Sequence, residues 1–145
     1  MQSANSEKTP NYTKKDLLWR IRVSLAGRAS EIVFYGEEKG VNTGVSSDLQ
    51  HATNYAMNMI CRYGMGSGFF ASMDPKTLLN SPMGPSLMKN VEEILTQEME
   101  ATQKLIMEGK PYIERLSEFL LKNNQAMENE IIEIFESVEK EISAQ

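Results

Sequence analysis

Asp48, His51 and Cys61 are the side chains with the reactivity and setting to do chemistry. Asp48 lies in GVNTGVSSDLQHATNYAMNMICRYG, residues 40–64, where a glycine-punctuated polar loop runs into a helical pattern. Val41, Thr43, Gly44 and Val45 predict an extended approach, and Ser47 with Gln50 fits a capping box. Asp48 then falls on the first turn, where the partial positive charge of unsatisfied amides favours an anion. A carboxylate held at such a corner is a suitable hard ligand for a metal or a partner cation, and it is equally the ordinary dipole complement of a helix start. His51 follows three residues later on the same face, which would allow a two-ligand half-site. Zinc usually takes three or four protein ligands, so that pair alone would bind weakly, and a solvated histidine is the plainer reading. Cys61 is the single cysteine, which excludes an internal disulfide and fits a reducing compartment. There is no Gly-x-Ser-x-Gly elbow, phosphate loop or Cys-x-x-Cys, and the sequence holds no complete active site.

The elements that would position Asp48 follow from periodicity. Leu49, Ala52, Ala56, Met59, Ile60 and Tyr63 recur at three and four residues, and Gly64 stands where a left-handed C-terminal residue is needed. Upstream, residues 1–12 read as a loose lead-in; Thr13 and Asp16 then cap a helix whose apolar positions run from Leu17 to Val33, with Gly36 as its stop. Within it Ala26, Gly27, Ala29 and Ser30 would let another segment approach the backbone closely, and Gly27 in particular suggests a packing requirement. Arg20, Arg22 and Arg28 are expected in water with their stems on the surface. After Gly64 comes a long loop with Pro75, Pro82 and Pro85, in which Phe69 and Phe70 are expected to pack on the core rather than serve as a lid. Three further helices are predicted: Ser86 to Glu108, closed by Gly109; a helix from Pro111 to Asn123; and a last one from about Glu128 through Ile142. The fold expected is all-α, a compact bundle of about five helices with one short extended segment near residues 40–45, forming a single domain over 13–145.

The net charge of −5 is unevenly spread: residues 1–85 carry nine Lys and Arg against seven Asp and Glu, and residues 86–145 carry six against thirteen. An acidic second half without a basic cluster argues against nucleic acid, and solvated helix faces explain it. No apolar run is long enough to span a bilayer, so the chain is read as soluble, without membrane contact of its own. Self-association is expected from the small-residue surface at Ala26–Ser30 and the apolar face of the last helix.

Two stretches are specific enough to carry a resemblance. Leu25-Ala26-Gly27-Arg28-Ala29-Ser30-Glu31-Ile32-Val33-Phe34-Tyr35-Gly36 resembles the Leu-Gly-Gly-Arg-Ala-Ala-Glu-Glu-Ile-Val-Phe-Gly stretch of the FtsH-type, membrane-anchored, ATP-dependent zinc proteases. Thr43-Gly44-Val45-Ser46-Ser47-Asp48-Leu49-Gln50-His51-Ala52-Thr53 is similar to their Thr-Gly-Ala-Ser-Asn-Asp-Leu-Gln-x-Ala-Thr motif, and Tyr63-Gly64-Met65 to the Tyr-Gly-Met that closes the same helix. The resemblance implies the C-terminal part of a mainly helical peptidase domain that assembles as a hexameric ring below an ATPase ring. It implies zinc as cofactor, ATP through a separate ATPase domain, and protein or peptide substrates. It also makes Asp48 the third zinc ligand, beside two histidines of a His-Glu-x-x-His helix whose glutamate is the general base. This sequence contains no His-Glu-x-x-His, so the chain alone is expected to hold zinc weakly and to be inactive. The alternative is a non-catalytic relative that oligomerises or binds partners. Ile32 in place of the second glutamate, Val45 in place of alanine and Ser47 in place of asparagine bear on how Asp48 is positioned, not on its presence.

Overall fold

The structure is a computed structural model describing residues 11–66, 68 and 70–145, with five α-helices, one 3-10 turn and no strand among them. The expected lead-in therefore falls, as far as residue 10, outside the described residues. Two units divide within a long helix, one ending at Thr102 and the other beginning at Gln103.

In the first unit α1 (Lys14–Gly40) opens on the expected capping box: Thr13 Oγ1 accepts from the Asp16 amide at 3.1 Å while Asp16 accepts from the Thr13 amide at 2.8 Å. Gly36 does break this helix, at φ 80° and ψ 165°, a backbone that only glycine adopts without strain. The break redirects the chain into a short further turn that the sequence pattern did not disclose, so that Gly40 comes to lie against α1's own backbone; a Cβ there would be 2.4 Å from the Glu31 carbonyl oxygen. Extended backbone is confined to Val41 and Asn42, and Thr43–Val45 winds into a 3-10 turn. Helix α2 (Ser46–Cys61) follows at once. Because it begins at Ser46, Ser47 sits inside its first turn rather than at its cap. Asp48 is its third residue.

The core of this unit joins Leu17, Ile21 and Leu25 of α1 to Ala52, Ala56, Met59, Ile60 and Cys61 of α2. Leu78 seals it from α3 (Pro75–Leu79), a helix inside the expected loop. Asp74 caps α3 by accepting from the Thr77 amide at 3.2 Å, and Pro75 occupies the first turn, where its missing N–H is not needed. At five residues α3 is too short to show a helical period. Gly84 opens α4 (Gly84–Asn123) hard against the end of α3, where a Cβ would be 2.1 Å from the Leu79 carbonyl oxygen, and Leu87 and Val91 close the core. Phe70, expected to pack on this core, is instead 98% exposed, and Phe69 lies outside the described residues.

The two helices expected over 86–123 are one. Gly109 and Pro111 do not stop α4, and the spacing of Ile106, Ile113, Leu116 and Leu120 keeps a helical period across them. Both residues act against the helix, proline by removing one hydrogen bond and glycine by about 1 kcal/mol. In the second unit the end of α4 pairs with α5 (Glu128–Ser143) through an edge-on Tyr112–Phe135 contact at 5.4 Å between ring centres, a forked Arg115–Glu141 pair at 2.7 and 2.9 Å, and the buried Val138. Asn124 makes the intervening turn with φ 60°, a left-handed conformation that asparagine tolerates.

Candidate metal centre

Asp48 reaches its place by two steps of folding: the reversal at Gly36 returns the chain along α1, and the 3-10 turn then starts α2 beside it. The carboxylate is exposed and lies over Gly27 of α1, whose hydrogen-for-methyl position is 3.9 Å from Asp48 Oδ2. The packing requirement anticipated for Gly27 is not found: a Cβ there would meet Asp48 Oδ2 at 3.9 Å, an ordinary contact. Among the described residues nothing engages the Asp48 carboxylate in a hydrogen bond or ion pair.

The loop before Asp48 is tied down on both sides. Asn42 Oδ1 accepts from the Gly44 amide at 2.8 Å, and Asn42 Nδ2 donates to Glu31 Oε2 of α1 at 2.8 Å. Neither role was legible in the sequence, although Asn42 two residues before Gly44 is a recognisable Asx-turn spacing. His51 is exposed on α2 as expected of a solvated histidine. Cys61 is fully buried, and desolvation pushes its thiol above the ordinary range. It behaves as a small apolar side chain rather than a nucleophile.

Among the described residues no three His, Cys, Asp or Glu side chains come together as a metal site. Among the described residues the donor set fits zinc only in part, with Asp48 as one hard, accessible carboxylate. Alongside Gly27, α1 presents an exposed apolar strip. Trp19 and Val23 are 57% and 63% exposed, four residues apart, and Val23 stands one helical turn before Gly27. They line an open depression of about 840 Å³ together with Tyr12, Lys15, Arg22 and Tyr55.

Two of the arginines expected in water have partners. Arg20 lies over the Tyr12 ring at 4.3 Å and donates to its hydroxyl at 3.0 Å. Arg22 pairs with Glu98, a buried carboxylate on α4 that sequence reasoning assigned to a solvated face. Its signal was available: Glu98 stands seven residues after Val91 and four before Thr102, in phase with the apolar face.

Comparison with known proteins agrees with the two motifs. The chain is 28% identical over 143 residues to "ATP-dependent zinc metalloprotease FtsH 1" of Methylacidiphilum infernorum, covering 89% of this chain and 22% of that protein. It is 29% identical over 126 residues to "Mitochondrial inner membrane m-AAA protease component yta12" of Schizosaccharomyces pombe, covering 82% of this chain and 16% of that protein. Over 54 residues, 37% of this chain and 8% of the relative, it is 50% identical to "ATP-dependent zinc metalloprotease FtsH" of Aquifex aeolicus. The chain spans about a fifth or less of the length of these relatives. Residues 1–134 match Peptidase family M41, and by that match over most of its length the chain belongs to the family.

Proposed function

We propose that this chain is the C-terminal part of the peptidase domain of an ATP-dependent zinc metalloendopeptidase, and that Asp48 is its contribution to the metal. The observation that carries the reading is the placement of an exposed, unengaged carboxylate on the first turn of α2, over Gly27 of α1. Family membership and relatives named as zinc metalloproteases supply the metal. The remaining ligands and the base would come from a His-Glu-x-x-His helix, which this sequence lacks; the apolar strip of Trp19 and Val23 offers such a helix a seat beside the carboxylate. Zinc, when bound, supplies Lewis-acid polarisation of a peptide carbonyl and activation of water. This chain's part is to hold one anionic donor at a fixed point, with the amides at the start of α2 favouring its charge. Protein or peptide substrates, ATP dependence through a separate ATPase domain and assembly into a ring belong to the same proposal.

The test is calorimetric zinc titration and a peptidase assay, on this chain alone and joined to a His-Glu-x-x-His helix. The isolated chain is expected to bind zinc weakly and to leave peptides intact. The joined form should bind stoichiometrically and cleave, Asp48→Ala should remove both properties, and Asp48→Asn should keep the shape with a poorer, neutral donor. Full activity of the joined form after Asp48→Ala would overturn the reading. The non-catalytic alternative predicts no cleavage by any joined form.

A further inference from the structure

We infer that Asn42 is a positioning residue for the Asp48 carboxylate, acting as a latch between α1 and the start of α2; its relevance to a metal rests on the function proposed above, but the latch itself does not. Asn42 uses both ends of its amide. Its oxygen accepts from the Gly44 amide at 2.8 Å and so shapes the 3-10 turn, while its nitrogen donates to Glu31 Oε2 at 2.8 Å and to the Gly40 carbonyl at 3.3 Å. The oxygen therefore sets the local turn, and the nitrogen fixes that turn against Glu31 of α1, more than ten residues away in sequence. Asp48 is four residues beyond Gly44, on the first turn that the 3-10 segment launches, so any sliding of the turn along α1 moves its carboxylate relative to Gly27. Gly40 provides a second restraint on the same segment, since its α-carbon packs directly on the Glu31 backbone. Glu31 thus holds the returning chain twice, with its carboxylate on Asn42 and its peptide group against Gly40.

The two ends of the amide can be separated by substitution. Asn42→Asp keeps an oxygen for the Gly44 amide and loses the donor to Glu31, replacing an attraction by a repulsion between carboxylates. Asn42→Ala loses all three bonds. Glu31→Gln keeps an acceptor for Asn42, and Glu31→Lys with Asn42→Asp restores a latch of reversed polarity.

Nuclear magnetic resonance of the isolated chain reads the outcome directly, through amide exchange at Gly44 and fast motion across 46–48. In Asn42→Asp the start of α2 should loosen, with exchange over 46–48 at least about fivefold faster, since one ordinary hydrogen bond alone is worth that much and both donor bonds of the amide nitrogen are lost, while the Gly44 amide stays protected. Asn42→Ala should expose both, Glu31→Gln should match the parent, and the reversed pair should recover most of the loss. Unchanged dynamics at 46–48 in Asn42→Asp, or a reversed pair no better than Asn42→Asp alone, would overturn the latch. In the form joined to a His-Glu-x-x-His helix, Asn42→Asp should weaken zinc binding severalfold, and Glu31→Lys should restore it. If zinc binding is indifferent to Asp48→Ala, the metal reading fails while the exchange measurements still decide the latch.

Discussion

At the scale of single residues, two glycines near the candidate centre stand in opposite situations. Gly27 leaves room: a methyl group there would meet Asp48 Oδ2 at 3.9 Å, an ordinary contact, so Gly27→Ala is expected to be tolerated and Gly27→Leu to displace the carboxylate. Gly40 has no room at all. Its Cβ would approach the Glu31 carbonyl oxygen to 2.4 Å and the carbonyl carbon to 2.5 Å, both backbone atoms of a helix that cannot move aside cheaply. Gly40→Ala should therefore destabilise the fold by roughly 1–3 kcal/mol, the range of overpacking a tight site, and loosen the reversal that delivers α2. Denaturant unfolding with the two alanine variants side by side checks this: Gly27→Ala near the parent and Gly40→Ala clearly below it. Equal midpoints would show that the returning segment is not held against α1.

At the scale of elements, α4 shows which signals a helix obeys. Gly109 and Pro111 read locally as an end and a beginning, yet the apolar face keeps its phase across them and the helix continues. Space around Gly109 is open, with nothing within 4 Å of an added Cβ, and its backbone is not in the left-handed region. Gly109→Ala should therefore stabilise by about 0.5–1 kcal/mol, the helix-propensity difference between the two residues, seen as a higher midpoint in urea; a loss of stability would mean that the glycine serves a bend. The start of α1 gives a pH dependence. The Thr13 backbone and hydroxyl hold the Asp16 carboxyl below its usual range, so the folded value is depressed relative to the unfolded one. That contribution is present above the ordinary aspartate range and is lost as the pH falls through the folded value. Thr13 and Asp16 amide shifts followed into acid should move together, ahead of the core resonances.

At the scale of the whole molecule, the first unit draws its stability from one core in which α1 and α2 supply most of the buried side chains. Ile21, fully buried, is the clearest lever: Ile21→Ala should cost about 2–5 kcal/mol, the range for emptying a well-packed aliphatic site, measured as a fall in the denaturation midpoint at constant slope. Arg22 and Glu98 add an ion pair between α1 and α4 in which the carboxylate is buried and the guanidinium partly exposed. Desolvation of the buried carboxylate offsets much of the attraction in such a pair, so it adds little net stability. No helix among the described residues is long and apolar enough to cross a membrane.

The helical class, the capping box at Thr13, the break at Gly36 and the position of Asp48 on a first turn were all determined by the sequence, because each depends on residues within about one helical turn of one another. Family membership was legible for a similar reason, since its motifs are short and contiguous. Only the tertiary structure decided that Asp48 lies over Gly27, why Gly40 is glycine, that Glu98 is buried beside Arg22, and that Asn42 reaches Glu31. Each of those facts is a contact between residues far apart in the chain. A pattern of three and four reports which face of a helix is apolar, but not which neighbour that face or its polar edge will meet.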